Sequence, residues 1–305
     1  MKGNRVIIGA GIAVLFVACV LLRQFSPLID DVVFLIIITL AGIEMQRAVA
    51  NKYAPPMIGV VAVFPVVSLG AYIGGTYLEL ETPFLNGLMM VLIAVVVMIG
   101  ITGIVTLASK NYTKEHFMST LLVMLYPITL AVFFYAVTHL GLRGGAFEPK
   151  SGTDPFGATP LALLFAVSAL SDTMAFCFGK LFKGPKLAPK ISPKKTISGA
   201  IGGLVGGVMG AAAVIGISTA NWMGITALPF VTNAGTFALH AFLIGILGSV
   251  CTQGGDLIAS VVKRNVEIKD YGKLLGNHGG VMDRIDGQLF NAFFIFVYFT
   301  IASMF

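Results

Sequence analysis

Residues 84–108 read FLNGLMMVLIAVVVMIGITGIVTLA, which is twenty-five consecutive positions without a charged side chain. About 20 apolar residues in a helix are enough to cross the hydrocarbon core of a bilayer. The whole chain has the same character, since 57% of its 305 residues are hydrophobic, 11% are charged and its mean hydropathy is +0.92. A water-soluble protein of this length needs far more charge to cover its surface. The sequence therefore predicts an all-α fold, as a polytopic integral membrane protein.

Nine apolar stretches are candidates for membrane-spanning helices. They are residues 6–22, 32–49, 57–76, 84–108, 117–140, 158–179, 199–219, 235–255 and 287–304. The first follows Lys2 and Arg5 and resembles a signal peptide, but no small-residue cleavage site precedes Arg23, so we interpret it as a retained helix. The seventh is rich in glycine, which predicts close packing against neighbouring helices because small residues let backbones approach.

The basic residues predict the orientation of these spans. With a cytoplasmic N-terminus, seventeen of the twenty Lys and Arg residues lie on cytoplasmic segments, and only Arg23, Arg143 and Lys150 lie outside. Cytoplasmic loops near helix ends have this excess of positive charge. In a bacterium the protein would lie in the inner (cytoplasmic) membrane. Because the basic charge is divided among short membrane loops, we expect no nucleic-acid partner.

Two regions follow from the order of the spans. Residues 1–150 form an N-terminal region of about five spans, and residues 151–305 form a C-terminal region in which we expect the active site. The cytoplasmic loops of the second region are predicted at 180–198 and 260–286. These two loops hold the densest charge in the chain.

The first of these loops lies within the stretch GKLFKGPKLAPKISPKKTISG, residues 179–199, which has six lysines and no acid. Such a segment is attracted to anionic lipid headgroups, at about 1 kcal/mol for each Lys near the surface. A second interpretation is that Ser192, Lys194, Lys195 and Thr196 open the seventh span and bind phosphate at a helix N-terminus, where backbone N–H groups point at an anion.

The second loop, residues 260–286, reads SVVKRNVEIKDYGKLLGNHGGVMDRID and mixes basic with acidic side chains. Asp256 lies just before it, near the end of an apolar span, and Asp283 and Asp286 are spaced i and i+3. Ionisable residues within or at the edge of a span are expensive and usually functional. Carboxylates without a Cys or His cluster favour Mg²⁺. A metal flanked by lysines is typical of phosphoryl or nucleotidyl transfer.

A long run of polar and glycine positions gives this loop a family resemblance. Its members are Ser260, Lys263, Arg264, Lys269, Asp270, Gly272, Leu275, Gly276, His278, Gly279, Gly280, Asp283, Arg284 and Asp286. In order and spacing the run resembles the C-terminal signature of the phosphatidate cytidylyltransferase (CDP-diacylglycerol synthase) family. The resemblance extends upstream to Gly255, Asp256, Ser192–Thr196, and the set Asp172, Ala175, Gly179 and Lys180. It covers about the C-terminal half, whereas the N-terminal half matches only in hydropathy.

The resemblance implies a membrane-embedded enzyme that joins CTP to phosphatidic acid, giving CDP-diacylglycerol and pyrophosphate. It implies Mg²⁺ held by Asp256 and Asp283, a potassium ion beside it, and a homodimer. The other implied catalytic residues are Lys263, Arg264, Lys269, Asp270, His278, Arg284 and Asp286. The implied substrate-binding residues are Ser192, Lys194, Lys195, Thr196, Asp172, Lys180, Ser260, Gly279 and Gly280. Ala259 and Phe176 depart from the family pattern, in which some relatives have an acid and a Tyr.

Two other functions stay open. A CTP-dependent lipid kinase would transfer the γ-phosphate and leave CDP. A transporter is suggested by the many spans and the glycine-rich helix, although transporters place ionisable residues near the bilayer midplane in repeated halves, and no repeat is visible here.

Several polar residues outside the two loops also have alternative interpretations. Glu44 could face the site or lie at the membrane interface as a snorkelling carboxylate. Asp30 and Asp31 are predicted to be solvated on the outer face, and His139 and His240 to be packing or interfacial residues.

Overall fold

The computed structural model describes residues 11–22 except 12, 13 and 16, then 27–76, 83–140, 156, 158–220, 222, 225–276 and 279–302. The helices are α1 Pro27–Ala50, α2 Ile58–Thr76, α3 Pro83–Ala108, α4 Lys114–Val123, α5 Leu130–Thr138, α6 Thr159–Phe182, α7 Ile197–Ser218, α8 Ala234–Asn265 and α9 Met282–Ala302. A π-helical segment, Met124–Thr129, joins α4 to α5. The predicted all-α fold is confirmed.

Seven of these segments are long and apolar enough to cross a membrane. They are Ile58–Thr76, Asn86–Ala108, Lys114–Thr138, Thr159–Phe182, Ile197–Ser218, Ala234–Asn265 and Met282–Ala302. Each coincides with one of the predicted spans. The predicted span 32–49 lies inside α1, and eight of the seventeen residues of the predicted span 6–22 lie outside the described residues. The count of nine and the cytoplasmic N-terminus stay predictions.

The predicted loop 260–286 is shorter in the structure, because the helices on either side continue into it. Helix α8 runs to Asn265, ten residues past the predicted end of its span, and α9 begins at Met282 rather than at 287. Only residues 266–281 connect them, and we call this segment the α8–α9 loop. Charged residues continue α8 because long basic side chains can leave an apolar surface while their stems stay packed.

The predicted loop 180–198 contains a β-hairpin that the sequence did not reveal. Strand β1, Lys186–Ala188, pairs antiparallel with β2, Ser192–Thr196, and β2 leads directly into α7. Thr196 ends the strand and caps the helix, since its Oγ1 accepts a hydrogen bond from the Gly199 N–H at 3.1 Å. An N-cap hydroxyl of this kind satisfies one of the open donors at a helix start. The hairpin therefore fixes the position of Lys194 and Lys195 relative to α7.

Helix α7 packs against α6 and α8 through its glycines, as the sequence predicts. A Cβ on Gly206 would lie 2.8 Å from the carbonyl carbon of Leu170 in α6, and one on Gly207 would lie 2.7 Å from Cβ of Ser249 in α8. Such distances leave no room for a side chain. Because Asp172 and Asp256 are on α6 and α8, this close packing also brings acidic side chains of two helices toward one space.

Replacing Gly206 with Val is expected to destabilise the protein by about 1–3 kcal/mol, the usual cost of overpacking a tight core. The obstacle is the α6 backbone, which cannot turn aside as a side chain could. Gly216→Val on the same helix is the matched control, because nothing lies within 4 Å of that position. The midpoint of thermal unfolding in detergent should fall for Gly206→Val alone. Equal midpoints for the two variants would contradict the packing.

The prediction that Asp30 and Asp31 are solvated is wrong. Both lie in the first turns of α1 and are almost completely buried, at 0% and 1% exposure. Oδ2 of Asp31 lies 3.4 Å from Nε2 of His139, which follows α5. The sequence interpretation placed this pair in an outer loop, whereas α1 begins earlier and packs its first turns against α5. His240 is a packing residue as predicted, with Nδ1 2.6 Å from the Tyr298 hydroxyl.

Candidate active site

A cavity of about 580 Å³ lies where α6, the hairpin, α7, α8 and α9 meet. Most of the predicted site residues line it: Asp172, Lys180, Lys194, Lys195, Thr196, Asp256, Lys263, Asp270, Asp283, Arg284 and Asp286. The two charged segments that the sequence singled out therefore face one space. They are about seventy residues apart in the chain and meet because α7 and α8 return the chain to the same end of the bundle.

Asp283 is held in one orientation by three donors. Its Oδ2 accepts hydrogen bonds from the backbone N–H groups of Tyr271 at 2.8 Å and Gly280 at 2.9 Å, and its Oδ1 accepts one from Lys263 Nζ at 2.9 Å. The side chain is only 5% exposed. Hydrogen bonds to a carboxylate are strongest when it is ionised. The three donors therefore fix the orientation of this carboxylate at the start of α9.

Lys263 lies between two acids. Its Nζ is 2.9 Å from Oδ1 of Asp283 and 3.6 Å from Oδ2 of Asp286, and it lies 5.2 Å from the ring centre of Tyr271. The lysine side chain is 11% exposed, so its charge is largely removed from water. Buried charges of this kind are tolerated only when they are paired. The two carboxyl groups and the ammonium together form one compact polar cluster at this end of the cavity.

A second ion pair connects the hairpin to α8. Nζ of Lys195 is 2.5 Å from Oδ2 of Asp256, and the Asp256 side chain is 35% exposed. Asp256 is therefore more exposed than Asp283 and Asp286, whose side chains line the same cavity but are 5% and 10% exposed. This contact brings the lysine-rich segment directly to one of the two predicted metal ligands.

The α8–α9 loop is ordered around Asp283 by its glycines and by Tyr271. Gly279 has φ +81°, which L side chains rarely adopt, and a Cβ there would lie 2.7 Å from Oδ2 of Asp283. The Tyr271 hydroxyl donates to the carbonyl of Ala259 at 3.1 Å. Burial raises the pKa of the Tyr271 phenol above its ordinary value, so the group stays a neutral donor.

Glu44 of α1 contacts the other side of this loop. The residue is 6% exposed, and its Oε2 accepts a hydrogen bond from the Met282 N–H at 2.9 Å. Gly272 and Gly280 both lie directly against its carboxylate, with no space for a side chain. Glu44 does not line the cavity, and its side chain is buried against the loop instead of extending to water as a snorkelling carboxylate would. In the sequence, Glu44 is the one acid of an apolar span, and this could have indicated that it has a polar partner.

The remaining predicted residues that the structure describes do not line the cavity. The Arg264 guanidinium donates to the carbonyls of Ile191 at 3.4 Å and Ile268 at 3.2 Å, so it connects the hairpin to the α8–α9 loop. Lys269 is exposed on that loop, and Ser260 is buried in α8. Ser192 pairs with Ala188 in the hairpin. Gly279 and Gly280 form the turn around Asp283, and His278 lies outside the described residues.

Three polar side chains of the cavity were not predicted from the sequence, those of Thr252, Gln253 and Gln288. Nε2 of Gln253 donates to Ser249 Oγ at 3.1 Å and to the Ala200 carbonyl at 3.2 Å. Gln253 is three residues before Asp256, and residues so spaced share a helix face. That spacing was a usable signal. Phe176, where the family pattern often has Tyr, lines the cavity and is 70% exposed.

The acids around the cavity could hold a hard divalent cation. Within the described ranges no three His, Cys, Asp or Glu side chains gather as a ligand group. Mg²⁺ does not need such a group, since it commonly binds one or two carboxylates and completes its shell with water and substrate phosphate. Asp256 and Asp283 provide two carboxylates. Asp256 is paired with Lys195 and Asp283 with Lys263, and a bound cation or anionic substrate could change these pairings. Lysines from the hairpin supply the complementary charge for phosphate.

Fold and site together define a polytopic membrane protein whose charged cavity is suited to phosphate-bearing ligands. Residues 3–302 match the sequence model of the Cytidylyltransferase family, and the chain belongs to that family. The resemblance seen in the sequence is thereby confirmed, and the matched range also includes the N-terminal half.

Named relatives agree with this assignment. The chain is 41% identical over 168 residues to a phosphatidate cytidylyltransferase of Brucella melitensis, covering 55% of this chain and 55% of the relative. It is 35% identical over 193 residues to a phosphatidate cytidylyltransferase of Helicobacter pylori, covering 63% and 60%. A putative phosphatidate cytidylyltransferase of Mycoplasma pneumoniae is 32% identical over 178 residues, covering 48% and 45%. These matches span about half the length of the relatives.

Proposed function

We propose that this protein transfers the cytidylyl group of CTP to phosphatidic acid, producing CDP-diacylglycerol and pyrophosphate. One observation supports this most: in a member of the Cytidylyltransferase family, acids of α8 and α9 share one cavity with the lysines of the hairpin. An enzyme that joins two anionic substrates needs both kinds of charge in the same place. The fold supplies them from segments far apart in the chain.

The reaction needs charge compensation more than it needs a base. The second pKa of a phosphate monoester is about 6, so the attacking oxygen of phosphatidic acid is already anionic near neutral pH. That oxygen forms a bond to the α-phosphorus of CTP, and the bond from this phosphorus to the oxygen bridging to the β-phosphate breaks. Pyrophosphate leaves with the electron pair. The main obstacle is repulsion between the two anions, which positioned cations reduce.

The basic residues of the cavity would have different roles, according to their positions. Lys194 and Lys195 on β2 and Lys180 at the end of α6 line the cavity, and they would bind the phosphates of CTP and the departing pyrophosphate. Lys263 keeps Asp283 and Asp286 in place while contributing positive charge beneath them. Arg284 lines the same cavity and can bind phosphate through two N–H groups.

Asp256 and Asp283 would hold Mg²⁺, and the donor set supports this because both are hard oxygen ligands in one cavity with room for phosphate. When bound, the ion would supply further neutralisation of the phosphate oxygens. The potassium ion and the homodimer that the resemblance implies stay predictions.

The membrane setting suits the two substrates. Phosphatidic acid is a bilayer lipid, and CTP is water-soluble, so the cavity must be reached from both. We propose that it faces the cytoplasm, which is the side on which the sequence places the excess of basic residues. In a bacterium this would be the inner face of the inner membrane.

The test is to incubate the purified protein with CTP, Mg²⁺ and phosphatidic acid and to identify the by-product. We expect pyrophosphate in equal amount to a CDP-lipid. CDP together with a newly phosphorylated lipid would favour the CTP-dependent kinase, and the absence of any lipid product would reject both. Omitting phosphatidic acid is the control, because nucleotide hydrolysis alone would then still release pyrophosphate.

A further inference from the structure

We propose that Glu44 is a positioning residue for the metal-binding end of the cavity, so that the N-terminal helices take part in catalysis through the α8–α9 loop. The effect of Glu44 on turnover rests on the proposed function. Its structural basis is independent of that function. Glu44 comes from α1, more than two hundred residues before the loop that it contacts.

Glu44 contacts the middle and the C-terminal end of the loop. Its Oε2 accepts the Met282 N–H at 2.9 Å, at the point where the loop becomes α9. Gly272, in the middle of the loop, and Gly280, near its end, lie directly against the same carboxylate. A single buried side chain therefore connects the middle of the loop to its end. No other acid lies within the described part of α1 between Asp31 and Ala50.

The same two parts of the loop hold Asp283. The Tyr271 N–H, one residue before Gly272, and the Gly280 N–H both donate to Oδ2 of Asp283. The Gly280 N–H thus donates to Asp283, while the Cα of Gly280 packs against Glu44. The loop lies between two carboxylates, one from each half of the protein. Moving the Glu44 carboxylate would shift the donors that orient Asp283, although Glu44 touches neither the cavity nor a substrate.

Gly272 and Gly280 let the loop backbone lie directly against the Glu44 carboxyl group. Any side chain at Gly272 or Gly280 would overlap the Glu44 carboxyl group. The run that resembles the family signature includes both glycines, and the contact with Glu44 gives a physical reason for a residue without a side chain at each. A buried carboxylate that only filled space would not need to accept a backbone hydrogen bond at the start of α9.

The experiment compares Glu44→Gln with the wild type and with Glu115→Gln, a matched control on an exposed residue of α4. Binding of Mn²⁺ as a substitute for Mg²⁺ is measured by electron paramagnetic resonance on detergent-solubilised protein without substrates. Changes in residues that orient a metal ligand commonly weaken metal binding by about 10–100-fold. We expect a weakening of about tenfold for Glu44→Gln, and no change for Glu115→Gln.

A second readout follows the loop directly. Lys273 is exposed in the loop, so trypsin cleavage after it, measured by mass spectrometry, reports loop opening. We expect faster cleavage in Glu44→Gln than in the wild type and Glu115→Gln. Unchanged Mn²⁺ binding and unchanged cleavage would overturn the proposal even if activity fell. If Glu44→Gln is not recovered folded, Glu44→Asp, which keeps the charge but shortens the reach, is used, and failure of both variants to fold would indicate a purely structural role.

The outcomes separate this inference from the proposed function. Weaker Mn²⁺ binding with a wild type that makes no CDP-lipid would support the positioning role and reject the cytidylyl transfer. In an active protein, we also expect the Mg²⁺ concentration for half-maximal turnover to rise about tenfold in Glu44→Gln. If Glu44→Gln lowered turnover and saturating Mg²⁺ restored none of it, the proposal would be contradicted.

Discussion

Asp283→Asn is expected to lower the rate of cytidylyl transfer by about 10²–10³-fold, which is the range seen when one positioned electrostatic group is removed from an active site. The substitution keeps size and shape. It replaces one carboxylate oxygen with an NH₂ group, and both oxygens of Asp283 accept hydrogen bonds. In one orientation the NH₂ faces the Lys263 ammonium, and in the other it faces the N–H groups of Tyr271 and Gly280. The variant also loses the charge that would bind a metal.

The control for this prediction is Glu267→Gln, which makes the same chemical change in the α8–α9 loop. Glu267 is 69% exposed, lies outside the cavity, and pairs with Lys52 at 2.7 Å. Exposed pairs contribute little to stability. Turnover of Glu267→Gln should match the wild type. Wild-type transfer in Asp283→Asn, combined with loss of solute flux in vesicles, would instead favour the transporter.

Lys263→Met is expected to reduce both stability and turnover. Removing one partner of a buried ion pair commonly costs about 3–5 kcal/mol, because the other charge is left uncompensated. Here two carboxylates, those of Asp283 and Asp286, would be left facing each other in a largely buried site. The thermal unfolding midpoint should therefore fall clearly, and transfer should fall by about 10²-fold or more.

The double variant Lys263→Met/Asp286→Asn separates these two effects. Removing one of the two acids relieves the repulsion, so part of the lost stability should return, and the two changes should be non-additive because the residues are in contact. Transfer should remain low, since the ammonium that holds Asp283 is still absent. If the double variant were as active as the wild type, Lys263 would have no direct part in the reaction.

The sequence predicted the parts of this protein that depend on local pattern and on charge. The spans were found because apolar runs of membrane length have few alternatives. Asp256 and Lys195 were each predicted as site residues, and they form an ion pair in the structure. Asp283 was identified by its place in a long, specific signature. The close packing of α7 followed from its glycines.

What the sequence did not reveal depends on contacts between distant segments. The charges of residues 260–265 suggested a loop, but Lys263 is neutralised by acids of α9, which lets the helix continue. Asp30 and Asp31 seemed exposed because nothing local showed that α5 covers them. Glu44 had no visible partner, since the groups that it contacts are more than two hundred residues away. None of these pairings has a spacing that a single sequence displays.

We propose that Asp256 of α8 and Asp283 of α9 hold one Mg²⁺ between the two substrates. The most direct test is a crystal structure of the protein with Mg²⁺ and CTP, with Mn²⁺ used to identify the ion by its anomalous scattering. We predict carboxylate oxygens of both Asp256 and Asp283 at about 2.0–2.1 Å from Mg²⁺, with CTP phosphate completing the shell. An ion bound beside CTP with neither aspartate among its ligands would contradict the claim.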